Sequence, residues 1–254
     1  MITSKENSRV KHAKLVREGR VRDEIFVEGL RLCEEVLKAK IEVVDVLFTA
    51  DIIETKRGNV LIAHFNDATE VSDKLFATIS DTKNPQGICI IAKRPKTGLK
   101  PENRLIVVLH QLNNPSNVGA ILRTCEAAGV SGVILTKGTA DAFSAKTLRG
   151  SMGASLRLPL LEKVDFQEVI ELCRERNLKT VCADIRAEKS YTEIDWTIPH
   201  TLIVGAEANG LTEIERNMCD ESLKIPMDTP VESLNVAVAC GVILFEAKKS
   251  ILNV

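Results

Sequence analysis

Aromatic residues make up only 4% of this 254-residue chain, with a single Trp and a single Tyr. Recognition of nucleobases mainly by stacking on many rings is therefore not indicated. Cysteine is present seven times, at positions 33, 89, 125, 173, 182, 219 and 240, but never as Cys-x-x-Cys. The four histidines show no metal-ligand spacing, so no metal centre is expected. Most of the cysteines fall in apolar runs, where Cys acts as a small buried hydrophobe. An odd count without a disulfide framework reads as a reduced, cytoplasmic protein. The opening "MITSKENSRVK" lacks an apolar signal-peptide core, and no apolar run approaches the ~18 residues of a membrane span. There is no G-x-G-x-x-G after a strand, no G-x-x-x-x-G-K-[ST] and no G-x-S-x-G. The usual dinucleotide fold, P-loop and α/β-hydrolase elbow are thus unsupported.

What is present is an ordinary globular composition, 44% hydrophobic and 27% charged, in a chain long enough for two domains. The net charge of −1 hides an uneven layout. Residues 1–22 hold Lys5, Arg9, Lys11, Lys14, Arg17, Arg20 and Arg22 against Glu6 and Glu18. Such an arm suits a phosphate-rich partner, or it is a solvated helix face.

Two alternations of strands and helices follow. In the first, 1–22 reads as a basic helix anchored by Leu15 and Val16, and "EIFVEG" as a strand. "LRLCEEVLKAK" reads as an amphipathic helix, while "VVDVLFTAD" and "NVLIAHFN" are strand-like. "TEVSDKLFATIS" reads as a capped helix and "QGICIIAKR" as a last strand. "RPKTGLKPEN" (94–103) has linker chemistry. The expected division is therefore 1–93, a linker over 94–103, and 104–254. The second alternation starts at "RLIVVLHQL", a Val/Leu run of the kind buried parallel strands show. It closes with "LNVAVACGVILFEAKK", apolar on every side between Val236 and Phe245 apart from Gly241. Such a helix is expected to pack on the core with one face and on a second subunit with the other.

Three stretches of the second alternation carry candidate chemistry. In "NPSNVGAILRTCEAAG" (114–129), Asn117 is a candidate N-cap. Arg123 has the small neighbours Gly119, Ala120 and Ala127 on its helix face. The space around it is filled by another backbone or a ligand, unless Arg123 pairs with Glu126 or caps a nearby strand. "LIVGAEANGL" (202–211) is a buried strand breaking into a loop that holds Gly205, Glu207 and Gly210. "IPMDTPVESLNVAVA" (225–239) is a strand end, a turn with two prolines, and Ser233 and Asn235 opening the last helix. Singly, each has a plain account as turn or cap. Together they are strand-end loops, where open α/β sheets bind ligands.

In order and spacing these three stretches resemble the motifs of the SpoU (TrmH) family of RNA ribose 2′-O-methyltransferases. "DAFSAKTLRGSMGASLRLPL" (141–160) resembles the family's intervening loop. "SKENSRVKHAKLVREGRVRDEIFVEGLRLCEEVL" with "DTKNPQGICIIAKRP" resembles the substrate-binding domain of its ribosomal-RNA members. The resemblance implies a C-terminal SPOUT-type parallel-sheet domain with a deep trefoil knot and a smaller N-terminal L30e-like α/β domain that binds RNA. It implies S-adenosylmethionine as cofactor, a homodimer formed through the knot and the C-terminal helix, and ribosomal RNA, 23S above all, as substrate. Transfer RNA is the alternative substrate; a non-catalytic RNA-binding or ribosome-assembly protein is the alternative class. By position, Arg123, Asn117, Glu207, Ser233 and Asn235 match catalytic residues. Ile203, Val204, Gly205, Gly210, Ile225, Met227, Leu234 and Asn235 match cofactor contacts. The seven cations of 1–22 would meet RNA. Ala206 and Ala145 depart from the Asn and Pro common at those places.

Overall fold

The computed structural model describes residues 1–100, 104–206 and 210–252. The chain divides into two units: residues 1–96 with 142–157, and residues 97–141 with 158 onward.

The first unit runs α1 (Ser8–Arg17), β1 (Glu24–Glu28), α2 (Leu30–Lys38), β2 (Val43–Phe48), α3 (Ala50–Glu54), α4 (Lys56–Ile62), β3 (Thr69–Glu70), α5 (Asp73–Ile79) and β4 (Ile88–Lys93). Its sheet has the order β1-β4-β2-β3, with β4 antiparallel to both neighbours and β2 parallel to β3. Val10, Ala13 and Val16 of α1 point into the core with Phe26, Leu47, Phe76 and Ile91. That helical phase turns Leu15 outward, 39% exposed, so of the two expected anchors only Val16 serves. The segment 59–66, read as a strand, holds no strand: its first half, 59–62, ends helix α4 and the rest is turn. The Thr55 side chain accepts from the Gly58 N–H and starts the helix, and Leu61 is buried while Val60 is exposed. A short apolar run does not distinguish the two periods by itself.

The second unit begins with β5 (Leu105–Leu109), α6 (Pro115–Ala128) and β6 (Gly132–Thr136). The next helix, α7 (Ala145–Ser151), packs on β1 and belongs to the first unit, whereas the sequence places it in the second domain. Phe143, buried beneath the Arg94 guanidinium, and Leu148 anchor it there, and Arg149 bonds Asp81. The chain then forms β7 (Leu160–Val164), α8 (Phe166–Glu175), β8 (Lys179–Ala183), β9 (His200–Val204), α9 (Glu213–Asn217), β10 (Glu221–Leu223) and α10 (Val236–Leu252). Six parallel strands take the order β10-β8-β9-β5-β6-β7. Strands β5, β6 and β9 are buried along their whole length, as central strands of a two-sided parallel sheet must be. The α/β class and parallel sheet expected from the sequence are thus present.

Helix α10 lies against α6, where a side chain at Gly241 would meet Thr124. Cys240, Ile243, Leu244 and Ala247 are buried beneath it, but Val238, Val242 and Phe245 are exposed. The apolar character all round therefore does not translate into full burial within one chain.

Candidate active site

Helix α6 begins three residues earlier than expected. Pro115 occupies its first position and Asn114, not Asn117, is the cap, accepting from the Ser116 N–H at 3.0 Å. Proline there lacks only an N–H that would be unpaired anyway, and its φ suits the helix. Gly129 ends the helix with φ 80°, a conformation glycine adopts freely. Asn117 falls in the first turn, where its Oδ1 accepts from Asn235 Nδ2 at 3.2 Å. Asn235 Oδ1 in turn accepts from the Ala237 N–H at 2.9 Å and caps α10. One asparagine pair thus ties the start of the first motif to the third.

Beyond the carboxyl ends of β8, β9 and β10 lies a cavity of about 680 Å³. A volume of that order accommodates a small organic ligand. Val204, Gly205, Ala206 and Gly210 form one wall, Ile225, Met227 and Leu234 another, and Ile243 of α10 contributes apolar surface. A Cβ on Gly205 would stand 2.5 Å from Leu211 Cδ1 and 2.7 Å from the Gly210 carbonyl carbon, so the close return of the chain requires glycine there. Ala206 and Gly210 are bridged, with Gly210 N–H donating to the Ala206 carbonyl at 2.8 Å.

Among the described residues, four charged ones line this cavity: Asp184, Arg186, Lys224 and Glu232. Asp184 accepts from Arg186 Nε at 2.9 Å, Arg186 Nη2 at 2.7 Å, the Arg186 backbone N–H at 2.8 Å and Arg216 Nη1 at 3.2 Å. The Arg186 hydrogen bonds hold its carboxyl down at about 2, against an opposing effect of burial. Nearer β5 and β6, buried His110 lies between Thr136 Oγ1 at 3.0 Å and Glu215 at 3.0 Å, and burial lowers its pKa. Its ring meets Phe166 edge-on at 4.7 Å, so it is a packed, partnered residue.

The model of the SpoU rRNA methylase family matches residues 104–245, and that of the MRM3-like substrate-binding domain matches residues 7–90. The chain belongs to the SpoU rRNA methylase family. The methylase is 32% identical over 255 residues to an uncharacterized tRNA/rRNA methyltransferase of Synechocystis, covering 98% of this chain and 93% of the relative. Over 250 residues it is 28% identical to the 23S rRNA (guanosine(2553)-2′-O)-methyltransferase RlmP of Bacillus subtilis, covering 97% and 98%. A crystal structure of an RNA 2′-O ribose methyltransferase superposes with TM-score 0.86 at 30% identity over 99% of both chains. An AdoMet-bound rRNA methyltransferase from Sinorhizobium meliloti gives 0.86 at 27% identity, over 98% of this chain and 97% of that one.

The cavity of the methylase brings together Val204, Gly205, Gly210, Ile225, Met227, Ser233, Leu234 and Asn235 from the sequence expectation. Ile203 is not among its lining; it is fully buried in β9, between its partners Val108 and Cys182. Arg123 is exposed on α6 and does not line the cavity either. Among the described residues no hydrogen bond or ion pair of Arg123 is found, its pairing with Glu126 included. Glu207 lies outside the described residues.

The basic arm is not a uniform surface. Arg9 bonds the Asp45 and Thr69 side chains and the Asp67 carbonyl. Arg17 Nη1 donates to the carbonyls of Thr78, Ile79 and Ser80 at 2.8–3.1 Å, closing the end of α5. Lys11 pairs with Glu6 and Arg20 with Glu18 on the surface. Lys5 and Arg22 are exposed and Lys14 is partly so. Sequence reading misses Asp184 and Arg186; the only signal is their place directly after the apolar strand "TVCA".

Proposed function

We infer that the protein transfers a methyl group from S-adenosylmethionine to a ribose 2′-hydroxyl of ribosomal RNA, with 23S rRNA as the substrate. The observation that carries this is the cavity at the ends of β8–β10, walled by the second and third motifs in a chain that matches a 23S rRNA methyltransferase along nearly its whole length. The residues present fit the cofactor. Apolar Ile225, Leu234 and Ile243 suit an adenosine, and the charged rim of Asp184, Arg186, Lys224 and Glu232 suits a zwitterionic amino-acid end. When bound, S-adenosylmethionine supplies an activated methyl group on a sulfonium.

The chain's own residues then have to align, hold and exclude water. The Asn117–Asn235 pair holds the third motif against α6, which keeps Ser233 and Asn235 at the cavity. Arg123, exposed and without a partner among the described residues, grips the phosphate next to the target ribose. A guanidinium stays protonated at any ordinary pH, so it serves as a clamp rather than as a base. Glu207 is assigned to the same site from its motif alone. The N-terminal unit, expected over 1–93 and completed by 142–157, takes the RNA, and the remainder of 104–254 is catalytic. Within the N-terminal unit Lys5, Lys14 and Arg22 are the cations left to meet phosphate.

Val238, Val242 and Phe245 form an exposed stripe at i, i+4 and i+7 on α10, which supports a homodimer through this helix. The trefoil knot in the catalytic unit is part of this reading, implied by the family resemblance. Among the described residues no helix is long and apolar enough to cross a membrane and no His, Cys, Asp and Glu group could hold a metal; we place the protein in the cytoplasm with its RNA. Incubating it with radiolabelled methyl donor and separate ribosomal and transfer RNAs, then mapping the product, tests the reading. A single 2′-O-methylated 23S nucleotide is expected; label only in transfer RNA, or none in any RNA, overturns it.

A further inference from the structure

We propose that Arg186, held in place by Asp184, receives the carboxylate of the methyl donor's amino-acid end. This rests on reading the cavity as the donor site. Asp184 stands at the residue after β8, where a strand's carboxyl end opens into the cavity. Its two oxygens take Arg186 Nε and Nη2 side by side at 2.9 and 2.7 Å, and its Oδ1 also takes the Arg186 backbone N–H. This planar fork fixes the guanidinium plane. Arg216 adds a second guanidinium at 3.2 Å on the same carboxylate. Asp184, Arg186 and Arg216 carry one net positive charge among them, and Glu213, which does not line the cavity, also acts on Arg186.

Arg186 Nη1 has no partner among the described residues, and the Arg186 side chain is 57% exposed while lining the cavity. A guanidinium with one edge bound to protein and one nitrogen open is a ready receptor for a second carboxylate. The donor carries one anionic group, its carboxylate, beside a cationic ammonium and sulfonium. Among the described residues, Lys224 is the other cation of the lining. No side-chain partner orients its ammonium among the described residues, so it starts with more conformational freedom to lose. Glu232 offers an acceptor for the ammonium.

Calorimetry on the full chain distinguishes the groups, using S-adenosylmethionine and its decarboxylated analogue, which differ only in the carboxylate. The wild type is expected to bind the complete donor about tenfold more tightly than the analogue, the size of one partly exposed charge-assisted hydrogen bond. In Arg186→Gln that preference should fall to about twofold or less, with analogue affinity unchanged, which also reports an intact cavity. Asp184→Asn should reduce the preference partway. A preference retained in Arg186→Gln, or abolished only in Lys224→Gln, overturns the assignment while leaving the donor site standing. Failure of the wild type to bind either compound removes the donor site itself, and the assignment with it.

Discussion

Helices α1 and α6 both carry arginines at positions that local sequence does not distinguish, and the two helices use them in opposite ways. On α1, Arg9 is locked onto Asp45 and Thr69, and Arg17 closes three carbonyls at the end of α5. On α6, Arg123 stands exposed, with no partner among the described residues and with Ala127 one turn on. An arginine with internal acceptors holds the fold; one without them is available to a ligand. Basic charge along a chain is therefore a poor measure of the charge a polyanion meets.

The sharpest way to break that contrast is to remove the arginines one at a time. Arg123→Ala should lower methyl transfer by about 10²–10³-fold, the usual effect of removing an electrostatic clamp on the reacting region. Its unfolding free energy should stay within the range of a neutral surface change, about 0.5 kcal/mol. Arg123→Lys tests geometry: retained activity would mean that a point charge suffices, and a drop equal to that of alanine would favour the planar fork. Arg17→Ala should invert the pattern. Without its hydrogen bonds to the three carbonyls, urea unfolding should show a cost of about 1–2 kcal/mol, while the rate per folded molecule stays unchanged.

A smaller effect is expected from Lys14→Gln with Arg22→Gln. Binding to ribosomal RNA should weaken, and the slope of log affinity against log salt should shrink by about 1 for each phosphate no longer neutralised. Arg9→Gln, by contrast, should leave that slope alone, since Arg9 is already held by Asp45.

The smallest expected signal is in acid. Asp184 titrates at about 2 when folded, below the ordinary 3.8. A carboxyl lowered in the folded state stabilises the fold above its unfolded pKa, and this contribution disappears as pH falls from about 4 through about 2. Denaturant titrations across that window should show a shallower pH dependence for Asp184→Asn than for the wild type.

Much of the site is legible in the sequence because it is built of short contiguous pieces. Strand-end loops carry their own signals, so Gly205, Ile225, Met227, Leu234 and Asn235 stand out, and they do line one cavity. Ile203 misses the cavity by a single residue, because the cavity lies beyond the carboxyl end of β9, which its last residue Val204 reaches while Ile203 stays within the buried sheet. The cap of α6 is ambiguous because Asn114 and Asn117 are equally good caps, and Pro115 settles the choice. The 59–66 segment misleads for a related reason: an apolar run too short to show its period is decided by the cap at Thr55.

By itself the sequence determined the two alternations of strand and helix, the parallel character of the second sheet, and the three loops that mark the family. These depend on residues within one or two turns of each other. Only the tertiary structure decided which cations are free, where 142–157 packs, and that Asp184 and Arg186 face the cavity. Those outcomes depend on partners far along the chain, as Arg17 reaches residues 61 to 63 positions away and Asn235 reaches Asn117 across 118. A hydrogen bond or ion pair is settled by separation in space, and local periodicity carries no record of it.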